Sequence, residues 1–144
     1  MTTVDFHTGV ADKLGHTCRL LRKAYRAGNR VVVAGAPDQL NRLDSLLWAF
    51  ETGEFIPHLR LLAGQALLPQ ALRTPIWLVD VPDAVEPRDV LVNLGPDMVA
   101  GYPRYLRVIE VVAEPADEVA GARQRWRQYL AAGHVPTNHP PAPA

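Results

Sequence analysis

Arg30 to Asp38, RVVVAGAPD, decides the fold class. Val31, Val32, Val33 and Ala34 form a continuous apolar run rich in β-branched side chains, the pattern of a strand covered on both faces. Gly35 and Ala36 turn the chain. Pro37 suits a first helical position, where its missing N–H leaves no bond unmade, and Asp38 sets a negative charge at the positive end of the helix dipole. Strand, tight turn and helix follow one another within one short segment, which points to a parallel sheet.

The neighbouring segments repeat this grammar. Upstream, Val4 to His7 reads as a strand, ended by Thr8 and Gly9, and a helix from near Asp12 to about Ala27 buries Leu14, Cys18, Leu21 and Tyr25 at helical spacing before Gly28 and Asn29 stop it. Downstream, Leu40, Leu43, Leu47 and Phe50 point inward from a second helix, to which Leu46 adds a further anchor. Leu59 to Ala63 is a short strand, and Gly64 to Thr74 a loop with room for a short helix. Ile76 to Val79, Val90 to Leu94 and Tyr105 to Val112 complete the strand set. Pro115, Asp117 and Glu118 open a last helix that ends at Gly133. Strands alternating with helices give an α/β class, a single domain with an open, mostly parallel sheet and helices on both faces, in which one antiparallel strand would still fit the pattern. The domain is expected to span residues 1–133, with 134–144, rich in proline, as a flexible tail.

Composition narrows the functional classes. The 144 residues, 48% hydrophobic, suffice for one core. Fifteen basic and fifteen acidic residues cancel, so no net field draws the molecule to nucleic acid or an anionic membrane. The basic side chains of the first helix read as a solvated face, with nucleic-acid binding as a further possibility. One cysteine, Cys18, excludes an internal disulfide and suits a reducing compartment, and no stretch is long and apolar enough to span a bilayer. A soluble, cytoplasmic protein is expected.

Catalytic motifs are sparse. VAGAPD at Val33 to Asp38 lacks the glycines and the lysine of a phosphate loop, and there is no G-x-G-x-x-G, so no nucleotide or other cofactor is expected. The five histidines have no recurring ligand spacing, so no metal site is expected. Ser45, alone of its kind, lies mid-helix. Asp5, Asp80 and Asp83 lie at strand positions where a small hydrolase or nucleotide-binding enzyme keeps acids, which makes Asp5 or Asp80 the basis of an enzymatic alternative. Asp5 satisfying backbone amides, with Asp80 and Asp83 shaping a proline turn, is the simpler structural reading.

Two stretches suit binding better. On the last helix Val119, Ala122, Trp126 and Tyr129 form one stripe, and Arg123 and Arg127 stand one turn apart beside it. Two guanidinium groups flanking an aromatic edge fit a short acidic peptide ending in an apolar side chain and a carboxylate; equally, the arginines complement the helix dipole. In Leu43 to His58, LDSLLWAFETGEFIPH, Thr52 to Glu54 break the helix before an extended arm carrying Phe55, Ile56 and Pro57. Trp48 and Phe55 then stand on either side of a turn, either as core or as an apolar docking patch.

That same segment resembles the signature L-D-x-x-L-W-x-x-x-x-x-x-F-[VI]-P-H of the chi subunit of bacterial DNA polymerase III holoenzyme. The resemblance extends through A-G-x-R-V at Ala27 to Val31, D-[VI]-L-[VI]-x-L at Asp89 to Leu94, and R-x-R-[YW]-[KR]-x-Y-x-x-A-G at Arg123 to Gly133. It implies a Rossmann-like, non-catalytic accessory subunit of the clamp-loader complex, bridging the psi subunit or an equivalent partner to the acidic C-terminal tail of single-stranded DNA-binding protein. By position, Trp48, Phe55, Ile56 and Pro57 would serve the psi-type face, which chi proteins also offer to a helicase. Arg123, Trp126 and Arg127 would serve the tail site, with no direct contact to nucleic acid. Trp126 stands where the family often has tyrosine and Arg127 where lysine is common. Val119 replaces a family lysine one turn before Arg123, which implies a weaker or redistributed basic contact.

Overall fold

The computed structural model describes residues 2–49, 55–62 and 69–141. In chain order the elements are β1 (Thr3–Val10), α1 (Lys13–Arg26), β2 (Val31–Ala34), α2 (Pro37–Ala49), β3 (His58–Leu61), α3 (Pro69–Arg73), β4 (Ile76–Val79), β5 (Val90–Asn93), β6 (Arg107–Ala113), α4 (Ala116–Ala131) and β7 (Thr137–His139), with 3-10 turns at Pro82–Ala84 and Tyr102–Arg104. The strands form one sheet in the order β3-β4-β2-β5-β6-β1-β7. Every described pairing is parallel, so the antiparallel option is not used.

The all-apolar reading of Val31 to Ala34 has its cause in this order. β2 sits between β4 and β5, with Val31 opposite both Ile76 and Val90, and all four of its residues are buried. Alternate side chains then feed two separate cores. Val31, Val33, Ile76, Leu78, Val90 and Val92 face α1 and α2, whose Cys18, Leu21, Leu40, Leu43 and Leu47 cover them. Val32, Ala34, Trp77, Leu91 and Val108 face Tyr102, Tyr105 and α4, whose Ala122 and Tyr129 close the other side. Asp12 caps α1 by accepting from Gly15 N at 3.1 Å. The end of α4 is a Schellman turn: Gly133 takes φ 94°, His134 N–H donates to Tyr129 O at 3.0 Å and Gly133 N–H to Leu130 O at 3.0 Å.

Two expectations are corrected. Leu46 is not an anchor; it is 43% exposed. At about 100° per residue, Leu40, Leu43 and Leu47 share a narrow arc and Leu46 falls about 60° outside it. The segment after Gly133 is not simply frayed, because Thr137–His139 adds β7 in parallel to β1. Polar contacts hold it: Thr8 Oγ1 donates to Asn138 Oδ1 at 2.7 Å, and His139 Nε2 lies 2.9 Å from Asp5 Oδ1. Phe50, the break at Thr52 to Glu54, the last residue of the expected strand, Ala63, and the start of the expected loop, 64–68, lie outside the described residues.

Candidate functional site

The two stretches singled out for binding lie at opposite ends of the sheet, one beside edge strand β3 and the other beside edge strand β7. At the first, Trp48 near the end of α2 is 62% exposed and Phe55 56%, with ring centroids 5.2 Å apart. Beneath them His58 is buried, its ring 4.9 Å from that of Trp48. Its Nδ1 donates to Ile56 O at 2.7 Å and its Nε2 lies 3.1 Å from Asp44 Oδ1. This histidine, to which the sequence assigns no role, is thus a strut that fixes the arm to α2. Ile56 is completely buried in the core shared with α1 and α2, so it anchors the arm from within and leaves Trp48 and Phe55 as the surface. Pro57 is half-buried.

At the second, Arg123, Trp126 and Arg127 of α4 converge with Phe6 and Thr8 of β1, Val112 of β6 and Asn138 of β7 on a cavity of about 510 Å³. Its floor is apolar, because Val119 and Ala122 line it together with Phe6 and Trp126, whose rings are 5.1 Å apart. The two guanidinium groups stand on its exposed rim. The stripe reading therefore holds in detail: Tyr129 and Ala122 point into the core, Trp126 is half-buried at the boundary, and the arginines face out. Val119, where a basic residue would add charge, instead deepens the apolar floor.

What fixes α4 in this pose escapes a reading based on apolar periodicity. Glu110, within β6, is fully buried and accepts from Arg125 Nε at 3.0 Å, from Tyr129 Oη at 2.7 Å and from Asn93 Nδ2 at 3.1 Å and 3.2 Å. Arg125 Nη1 also donates to Pro96 O at 2.6 Å. Burial pushes the Glu110 carboxyl up, while Arg125, Tyr129 and Asn93 oppose that rise. The sequence does carry a signal: a lone acid inside the apolar run VIEVV, and an arginine one turn before Tyr129, call for each other because neither charge is tolerated unpaired in a core.

The acids proposed for an enzymatic role are not brought together. Asp5 lies on β1 and Asp80 just past β4, four strand positions apart, on the order of 19 Å. Asp5 bonds Arg107 Nε at 2.7 Å and His139 rather than backbone amides. Burial acts to raise its carboxyl, but His139 and Arg107 outweigh that and hold it below the ordinary carboxylate range. Asp80 pairs with Arg60, and Asp83 sits exposed in the proline turn. Burial, with a smaller push from Asp12, raises the Cys18 thiol to about 11, as for an inert structural thiol. Three of the five histidines, His7, His16 and His139, do converge on the α1 side of β1. No group of three or more metal-ligating side chains is close enough to hold an ion among the described residues. No described helix is long and apolar enough to cross a membrane.

These features define a small, parallel, Rossmann-like α/β domain with an aromatic surface at each end of its sheet. The chain belongs to the DNA polymerase III chi subunit family: the family model described as "DNA polymerase III chi subunit, HolC" matches residues 1–137. It is 31% identical over 144 residues to the DNA polymerase III subunit chi of Pseudomonas aeruginosa, covering 96% of each chain. To the subunit of the same name from Escherichia coli K12 it is 29% identical over 133 residues, covering 92% of this chain and 86% of that one. Among solved structures, the C-terminal domain of the DEAD-box protein Dbp5 superposes with a TM-score of 0.59 at 12% identity, over 96% of this chain and 89% of that one, a likeness of fold alone.

Proposed function

We propose that this chi-family protein is a non-catalytic, cytoplasmic adaptor of the replication machinery that joins two partners at opposite ends of its sheet. The single observation that supports this most is the cavity beside α4: an apolar floor rimmed by Arg123 and Arg127 suits a chain end that pairs an aromatic or aliphatic side chain with acidic groups and a terminal carboxylate. The acidic C-terminal tail of single-stranded DNA-binding protein has that chemistry. At the other end, the paired rings of Trp48 and Phe55, set on a buried His58 and Ile56, form the docking face for a psi-type clamp-loader partner, or for a helicase using the same face. Pro57 stiffens that arm. Family membership supports a partner in the replication complex. Asp5 and Asp80, each in an ion pair and far apart, give the enzymatic alternative no shared site.

The test is a titration with a synthetic acidic peptide ending in Asp-Phe, at low salt. Arg123→Ala and Arg127→Ala each weaken binding about tenfold, since a hydrogen bond to a charged group contributes roughly 1.5 to 3 kcal/mol and solvent exposure trims that range. The affinity also falls steeply with salt. Unchanged affinity in both variants refutes the tail site. Phe55→Ala leaves peptide binding intact and abolishes retention of the clamp-loader partner in a pull-down from native extract.

A further inference from the structure

On the face of the sheet opposite the Arg123 and Arg127 cavity, a second cleft of about 760 Å³ runs between α1 and the edge formed by β6, β1 and β7. Its walls carry Arg19 and Lys23 of α1, Arg107 of β6, and the imidazoles of His7, His16 and His139. The strand register creates the cluster. His7 on β1 stands opposite His139 on β7, their rings 5.2 Å apart, and α1 brings His16 Nε2 to 2.9 Å from His7 Nδ1. Asp5, beneath, is already engaged by Arg107 Nε and His139 Nε2. Asp12, the acid on the wall among the described residues, is engaged in capping α1. The described contacts use one nitrogen of each ring.

We propose that this cleft binds the phosphate group of an anionic ligand, with Arg19 and Lys23 supplying charge beside the Asp5-paired Arg107, and with His7, His16 and His139 donating ring N–H groups as they take up protons. Three cationic side chains around one cleft repel a metal ion and attract an oxyanion, and a tetrahedral phosphate accepts from several donors at once. Apart from imidazole the wall has no aromatic ring among the described residues on which a base would stack, so the recognised feature is the phosphate itself. Burial and neighbouring positive charge disfavour protonated imidazole in the cluster. Burial, then the charge of His16 and of His139, lowers His7 to about 4 against a partial rise from Asp5, and burial with Arg19 lowers His16. A bound anion relieves that repulsion, so binding takes up protons and tightens as pH falls below 7.

The experiment is histidine-ring NMR of the full chain at pH 6.5, titrated with inorganic phosphate against chloride at matched ionic strength. A second arm uses an oligothymidylate with hydroxyl ends. The rings of His7, His16 and His139 are expected to shift saturably while those of His58 and His134 stay still. The double variant Arg19→Gln, Lys23→Gln, altering two exposed side chains, weakens the effect roughly tenfold or more. Saturation by phosphate alone assigns the site to a free phosphate ester. Saturation by the oligonucleotide at lower concentration assigns it to a nucleic-acid backbone. Absence of saturable shifts with both probes, shifts that spread equally to His58 and His134, or equal affinity in the double variant overturns the proposal.

Discussion

Removing the positive member of the buried pair behind α4, Arg125→Met, tests how that helix is held. Arg125 is 7% exposed at its side chain and Glu110 0%, so the substitution leaves a carboxylate in the core facing only Asn93 and Tyr129. Breaking a buried pair from one side costs about 3 to 5 kcal/mol, because the abandoned charge keeps its desolvation penalty and loses its compensation. With a denaturant slope of roughly 2 kcal/mol per M, the urea midpoint falls by about 2 M. Replacing the whole network is a different matter. In the triple variant Glu110→Leu, Arg125→Met, Tyr129→Phe no buried charge or hydroxyl is orphaned, and Asn93 keeps its 2.8 Å bond to Asp97 O. Its midpoint is expected within about 1 M of the parent, since apolar replacement of a buried pair is often neutral. Peptide binding separates stability from positioning. Arg123 and Arg127 are untouched in the triple variant, yet α4 loses its directional tie to β6, so weaker peptide binding at near-parental stability is the expected result. An Arg125→Met midpoint within about 0.5 M of the parent, or a triple variant as unstable as the single, refutes the reasoning.

Two further outcomes follow from the region around β7. The unfolded chain protonates His7 near its ordinary value of 6.5, whereas the folded chain resists until about 4; stability is therefore lost as pH falls through that window, and His7→Gln flattens the dependence of the urea midpoint between pH 6.5 and 4. Gly9 has φ 66°, and an added Cβ would lie 2.8 Å from Pro141 Cδ, so Gly9→Ala is expected to cost about 1 to 3 kcal/mol by urea unfolding and to weaken peptide binding by displacing β7; unchanged values for both would show that the tail contributes nothing to the pocket.

How much of this was legible depends on whether a residue announces itself by burial or by partnership. Val31 to Val33 and Ile76 to Val79 are apolar on both faces because α1 and α2 cover one face of the sheet and α4 with Tyr102 and Tyr105 the other, and a run of that kind is readable without knowing what covers it. Trp126 and Tyr129 are readable from helical period. Leu46 misled because apolarity alone does not say on which side of the arc a side chain falls, and Ile56 because the arm that exposes Phe55 turns its next residue inward. Glu110 and Arg125 become intelligible only as a pair formed across two elements. β7 is the extreme case. Thr137, Asn138 and His139 are all exposed and none is apolar, so no periodicity marks them; they are held by Thr8 and Asp5, more than a hundred residues earlier in the chain. Yet adjacent strand residues point to opposite faces. Asn138 therefore completes the wall of the aromatic cavity on the α4 side while His139 completes the basic cleft on the α1 side.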